Sequence, residues 1–350
     1  MRDIHIGYYV HHHGAGHGVR ALTIAEQLGY PVTLMGSRLP EGPLAPHIDR
    51  LQLPLDTAEG VEEGTLDALH YAPLGVEGLR VRMATMANWF RDHWPCLLVV
   101  DVSIEVALLA RLCSVPTVYV RQHGRRNDPA HALAYQSASA LLAPYPEEME
   151  APDVPGPLRA KTHYSGWLSR FAEQPGAVPE PGRVLVICGR GGSGLTPALL
   201  NAAATACPQV QLRVAGVDAA LLADCPPNLV PLGHLANPVE EMRRAGVVMG
   251  SASDSLVSEA ASLGCRFVAV AEERPFDEQL HQARQLQVLG VAVGLDRWPA
   301  APQWPAVLQA AFALDGSRWR LWADIAATAR AAAIIQEQAY ALFKSPGGRY

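Results

Sequence analysis

Short apolar segments alternate with amphipathic ones through the first half of the chain. Ile4–Val10 and Val32–Met35 have the apolar character of buried strands, and Val19–Leu28 between them carries apolar residues at helical spacing. The same order returns further on, with strands at Leu97–Val100 and Thr117–Val120 around a helix at Ile104–Leu112. Because buried strands that alternate with helices form parallel sheets covered on both faces, we predict such an α/β domain here.

A proline-rich stretch interrupts this alternation, which resumes after it. Eight prolines lie from Pro144 to Pro181, and they mark a boundary between domains. The second half predicts strands at Val184–Cys188, Gln211–Ala215, Val247–Met249 and Phe267–Val270, and helices at Thr196–Ala206 and Leu256–Leu263. The Ala-rich segment Trp319–Phe343 is predicted to be a terminal helix.

The predicted fold class is therefore α/β, with two Rossmann-like domains that face each other across a cleft. We expect an N-terminal domain over residues 1–165, a linker over 166–182, a second domain over 183–318, and a C-terminal helix over 319–350 that packs back on the first domain. Ligands of such folds bind at the ends of parallel strands and at domain interfaces.

Composition narrows the function classes. The chain has 350 residues, 49% of them hydrophobic and 18% charged, which is enough apolar material for two cores. Its net charge is −6 and no long basic run occurs, so nucleic acid is not expected as a partner. The one dense basic group, formed by Arg121, Arg125 and Arg126, is predicted to be a solvated face.

The cysteines and the N-terminal segment predict a cytoplasmic protein. The six cysteines do not occur at CxxC spacing and most lie in apolar runs, which predicts free thiols in a reducing compartment rather than disulfides or a zinc site. The N-terminal segment lacks the layout of a secretion signal. The chain also lacks an apolar stretch of the ~18 residues that a membrane span needs.

A histidine- and glycine-rich loop joins the first strand to the first helix. Gly14 and Gly16 let the backbone approach a ligand closely and leave the helix N-terminus open. His17 would be partly desolvated there and face the helix dipole, which favours its neutral, base-competent form. A plain strand-to-helix turn is the alternative, with His11–His13 as surface histidines. A contiguous histidine run cannot place three rings on one ion, so no metal is predicted.

A second glycine-rich loop, from Cys188 to Gly194, follows an apolar strand and opens a helix. Its backbone N–H groups and the helix N-terminus suit an anion. The predicted anion-binding residues are Arg190, Gly191, Gly192, Ser193 and Gly194. The loop is neither a P-loop nor a dinucleotide fingerprint, and a glycine turn without a ligand is the alternative.

Two further loops of the second half carry polar groups into helices. Ser253, Asp254 and Ser255 lead into a helix on which Glu259 could accept both hydroxyls of a ribose, or be an ordinary N-terminal glutamate that the dipole favours. The other loop offers planar groups for sugar hydroxyls. Its members are Phe276, Asp277, Glu278, Gln279 and Gln282. Capping of the helix by Asp277 is the alternative there.

These motifs resemble those of a known family. The order GRGGSG, Gly233-His234, Val257-Ser258-Glu259, PFDEQ and Gln282-Ala283 over residues 184–295 resembles the donor domain of GT-B glycosyltransferases related to the lipid II-forming N-acetylglucosaminyltransferase. The first half is similar more weakly, mainly through Gly14-Ala15-Gly16-His17 and the following Arg20-Ala21. Residues 40–95 align with nothing in that family.

The resemblance implies a reaction. The second domain would bind a nucleoside-diphosphate sugar, UDP favoured, with Glu259 on the ribose, the base near His234 and Leu235, and the diphosphate on Gly191–Gly194. A small-molecule or lipid-linked acceptor would bind the first domain near His17. Such enzymes invert the anomeric centre and use neither metal nor other cofactor. Ser253 and Asp254 depart from the family pattern, which often has Gly at position 253.

Other readings stay open. The general base could be Asp101, at the end of an apolar strand, or Glu105, although Asp101 could equally cap the helix that starts at Ile104. Gly14 to Arg20 also resembles the nucleotide-sugar hydrolase of pseudaminic acid synthesis, in which water is the acceptor. A nucleotide-sugar 2-epimerase and a non-catalytic nucleotide-sugar-binding protein are the remaining alternatives.

One segment of the first half combines basic and apolar groups at near-helical spacing. Its members are Arg80, Arg82, Met83, Met86, Trp89, Phe90, Arg91 and Trp94. The pattern predicts either a buried helix face or a weak peripheral membrane contact that would suit a lipid-linked acceptor.

Overall fold

A computed structural model describes residues 3–12, 15–57, 69, 72–151, 153–189 and 193–345. In these residues the first domain is built on a seven-stranded, all-parallel sheet of order β3-β2-β1-β4-β5-β6-β7. The strands are β1 His5–Tyr9, β2 Val32–Gly36, β3 Ile48–Gln52, β4 Cys96–Asp101, β5 Thr117–Val120, β6 Ala140–Ala143 and β7 Thr162–Tyr164. Strands β4 and β5 are buried throughout, as their apolar runs predict, and so is β6, a strand not predicted from the sequence.

Helices cover both faces of this sheet. They are α1 Ala15–Ala25, α2 Glu77–Asp92, α3 Ile104–Leu112, α4 Pro129–Ser137 and α5 Gly156–Ala160. Ser103 caps α3, because its hydroxyl accepts a hydrogen bond from the Val106 amide at 3.3 Å. The interpretation of Asp101 as the cap of this helix is therefore wrong, and the Asp101 carboxylate is available for another role.

The second domain repeats the design on a six-stranded parallel sheet of order β10-β9-β8-β11-β12-β13. The strands are β8 Arg183–Ile187, β9 Gln211–Ala215, β10 Leu229–Gly233, β11 Val247–Ser251, β12 Phe267–Val270 and β13 Ala292–Leu295. The helices are α6 Pro197–Ala206, α7 Val239–Arg244, α8 Asp254–Leu263, α9 Glu278–Leu289 and α10 Trp304–Phe312. Numbered within the domain, the strand order is 3-2-1-4-5-6, the doubly wound arrangement.

The C-terminal segment divides between the two domains. Trp319 lies in a 3₁₀ turn, fully buried in the core of the second domain, and its indole N–H donates to the Cys265 carbonyl at 2.8 Å. Helix α11 begins only at Ala327 and runs to Phe343, packing against α1 in the core of the first domain. The predicted helix start at Trp319 is wrong, because burial of this indole holds residues 316–321 on the second domain.

Helix α2 turns its apolar face inward. Met86, Trp89 and Phe90 are buried in the first domain. The Arg82 side chain is 1% exposed and donates to Asp56 and to the Tyr9 hydroxyl, each at 2.6 Å. Half of the eight residues that suggested membrane contact are thus buried, as the alternative of a buried helix face predicts, whereas Arg80, Arg91 and Trp94 are exposed. Contact of the exposed residues with a lipid surface remains a prediction.

No helix in the described ranges is both long and apolar enough to cross a bilayer. The cysteines at positions 96, 113, 188, 207, 225 and 265 are free.

Candidate active site

The two sheets bring the predicted loops to facing edges. In the first sheet the strand order reverses between β1 and β4; α1, which carries His17, follows β1, and Asp101 ends β4. In the second sheet the reversal lies between β8 and β11, which precede the glycine-rich loop and α8. Ligands of doubly wound folds bind at such reversals, so each domain presents its own binding edge to the cleft.

A histidine and an aspartate form a pair at the first edge. His17 Nδ1 lies 3.0 Å from Asp101 Oδ2, and Arg20 donates to Asp101 Oδ1 at 2.7 Å. Asp101 is completely buried. Burial alone would raise the pKa of this carboxyl, but the charges of Arg20 and His17 outweigh it and hold the pKa below its usual range. Asp101 is therefore ionised at neutral pH.

The ionised carboxylate fixes the proton on the histidine ring. A carboxylate can only accept hydrogen bonds, so His17 Nδ1 carries the hydrogen that it shares with Asp101. Nε2 of the neutral ring is then unprotonated and can act as a base. Arg20 Nη2 also lies 3.0 Å from His17 Nδ1, a contact that follows from both groups binding the same carboxylate. Within this pair, Asp101 thus orients the ring and His17 is the group that can take a proton.

Of the neighbouring histidines, His12 is buried and His11 is partly buried, so neither is the exposed surface group that the alternative predicted. His12 is buried, and its Nδ1 lies 3.6 Å from Asp56 Oδ1. The His11 ring meets the His17 ring edge-on, with 5.3 Å between centroids. His13 and Gly14 lie outside the described residues. Glu105, the third base candidate, accepts a hydrogen bond from Ser103 at 3.2 Å.

Loops of the second domain contact Arg20, which binds this pair. Arg20 Nη1 donates across the cleft to Asp254 Oδ2 at 3.2 Å. With its amide nitrogen facing the acceptors, fully buried Gln282 donates to Asp254 Oδ1 at 3.2 Å. Gly16 faces Ser255 so closely that a Cβ at position 16 would lie 3.4 Å from the serine hydroxyl. The first turns of α1 and α8 therefore meet at the cleft.

The predicted sugar-binding loop meets a second part of the first domain. Arg126 donates to Glu278 at 2.7 Å and lies over the Phe276 ring, 5.1 Å from its centroid. The Arg125 amide donates to the Phe276 carbonyl at 2.8 Å, and a Cβ on Gly124 would come within 2.4 Å of that oxygen. These contacts hold the two domains closed.

The prediction of a solvated face is therefore wrong for two of the three basic residues of the first domain. Arg126 is buried against Glu278, and Arg121 is buried in an ion pair with Glu150. All three follow β5, whose carboxyl end lies at the cleft. Arg121 and Arg126 point inward from there, whereas the Arg125 side chain is exposed.

Asp277 and Gln279 have different environments. Asp277 is exposed and makes no side-chain hydrogen bond to the start of α9, so its interpretation as a cap is wrong. Phe276 and Asp277 both have positive φ, 62° and 54°, which bends the chain sharply before the helix. Gln279 is buried, and its amide oxygen accepts from the Glu272 backbone at 3.0 Å.

Glu259 pairs with an arginine. Arg170, from the segment between the two sheets, donates to Glu259 Oε1 at 2.8 Å. Burial raises the pKa of Glu259, and the Arg170 charge offsets this only in part. A ribose on this carboxylate remains a prediction, and so does a nucleotide base near His234 and Leu235, which are exposed and partly buried, respectively.

A carboxylate that the sequence did not reveal binds the glycine-rich loop. Glu272 accepts from the Gly194 amide at 2.9 Å and from the Ser193 hydroxyl at 2.8 Å. Trp298 Nε1 donates to the same carboxylate at 2.8 Å. The hydrogen-bond donors of this loop thus bind an anion, as predicted for the loop, but the anion is the carboxylate of a side chain. Arg190, Gly191 and Gly192 lie outside the described residues.

His123 is a second group that the sequence did not single out. It is 6% exposed, its ring packs against the Tyr145 ring with 4.0 Å between centroids and a tilt of 30°, and its Nε2 has no hydrogen-bond partner in the described structure. It lines a cavity of about 30 Å³ between the domains, with Arg121 and Glu150 on one side and His281 on the other. Burial lowers the pKa of His123 from 6.5 to about 4.

This burial predicts a pH-dependent stability. The unfolded chain takes up a proton at His123 below about pH 6.5, whereas the native ring stays neutral down to about pH 4. The free energy of unfolding therefore falls as pH drops through this window, by roughly 2 kcal/mol between pH 8 and pH 5. Urea unfolding of the wild type, His123→Gln and His234→Gln at pH 8 and pH 5 measures this change in the free energy of unfolding. The His123→Gln variant should lose most of this slope, whereas exposed His234→Gln should keep it; equal slopes in all three proteins contradict the assignment.

Among the described residues, no cluster of three or more His, Cys, Asp or Glu side chains is arranged to hold a metal ion.

Comparison with known proteins gives matches in structure alone. No protein-family model matches the chain, and no curated protein sequence matches it. Among solved structures, the chain is similar to MurG from Acinetobacter baumannii (TM-score 0.63, 18% identity, 96% of this chain and 99% of that one) and to CalG4, the calicheamicin glycosyltransferase (0.66, 18%, 97% and 98%). It is also similar to Phytolacca americana UGT2 complexed with UDP-2fluoro-glucose and pterostilbene (0.59, 12%, 100% and 97%).

These likenesses define the architecture. The chain has the GT-B fold, two Rossmann-like domains facing each other across a cleft, as the sequence predicts. The structures that it resembles over nearly their whole length include glycosyltransferases.

Proposed function

We propose that this protein is a glycosyltransferase that moves a sugar from a nucleoside-diphosphate sugar, with UDP the favoured nucleotide, to a hydroxyl acceptor. The observation that carries the proposal is the His17–Asp101 pair at the edge of one domain, in contact through Arg20 with Asp254 of the other. A base on one side of a cleft and carboxylate and amide groups on the other suit an acceptor hydroxyl and a donor sugar.

The proposed reaction is a displacement at the anomeric carbon. Nε2 of His17 takes the proton of the acceptor hydroxyl while the oxygen attacks, and Asp101 stabilises the imidazolium that forms. The nucleoside diphosphate leaves with inversion of the anomeric centre, and its charge is met by backbone N–H groups of the glycine-rich loop and of the α6 N-terminus. The closed cleft limits access of water, which would otherwise compete as the acceptor.

Thermal shift tests the donor half of this proposal. A ligand raises the melting temperature only if it binds the native state, so UDP, GDP and dTDP, bare and sugar-linked, are compared at 1 mM. We expect the uridine compounds to give the largest shift, and no shift with any of them would contradict a nucleotide-sugar site. Product analysis with the stabilising donor, without added acceptor, then distinguishes the functions: rapid release of free sugar identifies a hydrolase, and turnover only with an acceptor identifies a transferase.

A further inference from the structure

Arg20 is the one side chain in the described structure that contacts both members of the His–Asp pair and a donor-loop residue of the other domain. Its Nη2 donates to Asp101 at 2.7 Å and lies 3.0 Å from His17 Nδ1, and its Nη1 donates to Asp254 at 3.2 Å. Arg20 and Asp254 are 234 residues apart in the chain, so the contact exists only when the domains are together.

Because Asp101 and Arg20 are buried, the Asp101 carboxylate depends on its contact with Arg20. Asp101 is completely buried and the Arg20 side chain is 8% exposed. A buried carboxylate needs an opposite charge, and Arg20 is the cation that Asp101 has. The planar guanidinium presents its N–H groups in a fixed fork, so a carboxylate on one arm constrains the direction of the other arm.

Asp254 is itself held in position by the second domain. It is the first residue of α8, where the helix dipole favours a negative charge. Gln282 of α9 binds its other oxygen at 3.2 Å. The orientation of Asp254 thus depends on α8 and α9, which border the predicted sugar site. Because Arg20 binds both Asp254 and Asp101, the position of Asp254 constrains that of Asp101.

From this chain of contacts we infer that Arg20 is a positioning residue that aligns the His17–Asp101 pair only when the second domain has closed on the first. In the open state Arg20 loses its hydrogen bond to Asp254, and only the Asp101 carboxylate still holds its guanidinium. The geometry of the hydrogen bond from His17 Nδ1 to Asp101 then varies more. Closure over the donor restores the contact with Asp254 and aligns His17 to act as the base. This inference rests on the proposed function and adds to it a dependence of the base on the donor domain.

Kinetics of four proteins test the inference: Arg20→Gln, Asp254→Asn, the double variant, and Arg284→Lys as a control. Arg284 forms an exposed ion pair with Asp296 and contacts neither Arg20 nor Asp254 in the hydrogen bonds of the described residues. We expect kcat to fall about 100-fold in Arg20→Gln and about tenfold in Asp254→Asn, since each loses a charge-assisted hydrogen bond. The double variant should be no slower than Arg20→Gln, and Arg284→Lys should match the wild type.

The affinity of Arg20→Gln for UDP should stay within about twofold of wild type, which also shows that this variant is folded. Multiplied effects of the two substitutions would overturn the inference.

Proton NMR supplies a measurement that needs no turnover. A hydrogen shared between a histidine and a carboxylate gives a resonance far downfield, and Asp101→Asn assigns it by its loss. We expect this His17 Nδ1–H resonance in the wild type, its loss in Arg20→Gln, a clear upfield shift in Asp254→Asn, partial recovery in Arg20→Lys, and no change in Arg284→Lys. An unaltered resonance in Arg20→Gln and Asp254→Asn would overturn the inference. Absence of turnover in the wild type with any nucleotide sugar would instead count against the proposed function.

Discussion

Replacement of Asp101 by Asn is expected to lower kcat by between about 10² and 10⁴ with little change in the affinity for the donor nucleotide. Asparagine has nearly the shape of aspartate but carries no charge, so it stabilises the His17 imidazolium poorly. It can also donate its amide hydrogen to Nδ1, which would leave the proton on Nε2 and remove the base. The effect therefore exceeds that of a lost contact, because it reverses the tautomer on which the reaction depends.

Two comparisons isolate this effect. His17→Gln should lower kcat to the same extent, and the double variant His17→Gln, Asp101→Asn should be no slower than His17→Gln, since residues that act as a unit are not additive. Asp296→Asn, which alters an exposed ion pair, is the control for the loss of one carboxylate. Steady-state kinetics and UDP titration provide both quantities. A fall of less than about threefold in Asp101→Asn would remove the pair from the mechanism.

Replacement of Gly124 by Ala is expected to prevent the domains from closing and to lower kcat/KM by about 100-fold. A Cβ at this position would lie 2.4 Å from the Phe276 carbonyl oxygen and 3.1 Å from the Glu278 backbone, both in the second domain. Backbone atoms in a packed loop cannot move aside as a flexible side chain can, so the two loops must separate. Separation pulls Arg126 from Glu278 and shifts the reacting groups, and a shift of about 1 Å can cost 100-fold in rate.

A second glycine provides a control for backbone strain. Gly124 has φ of +99°, which alanine adopts at a cost, so part of any effect could be conformational. Gly42 has φ of +92°, and a Cβ there would meet nothing within 4 Å. Gly42→Ala thus carries a similar strain without the clash. Small-angle scattering should show a larger radius of gyration for Gly124→Ala alone, and identical scattering and kinetics for the two variants would contradict the role of Gly124 in closure.

The sequence predicts the architecture because local patterns determine it. Apolar runs such as Thr117–Val120 coincide with observed strands, and the alternation with helices leads to the two parallel sheets. Asp101 and His17 could be predicted as candidate catalytic residues because polar residues that follow parallel strands converge at one edge of a sheet. The loops around Asp254 and Glu278 follow from the same rule in the second domain.

The partners of these residues could not be predicted. Arg126 and Glu278 are 152 residues apart, and no spacing rule connects groups at such a distance. The arginines that follow β5 were therefore predicted to form a solvated face, although Arg126 is buried against the second domain and Arg121 is buried against Glu150 of its own domain. The start of the C-terminal helix was predicted wrongly for a related reason. Residues 319–326 have helical propensity, but the burial of the Trp319 indole in the second domain overrides it.

The Glu272 carboxylate has a kinetic consequence for any diphosphate that binds the glycine-rich loop. The amide of Gly194 and the hydroxyl of Ser193 already bind this carboxylate, so an incoming diphosphate exchanges with it instead of filling an empty site. The displaced carboxylate stays tethered a few ångströms away, at a high effective concentration. It then competes for the same donors after the sugar has been transferred. Glu272 would act as an internal competitor that weakens donor binding slightly and accelerates the departure of the spent nucleotide.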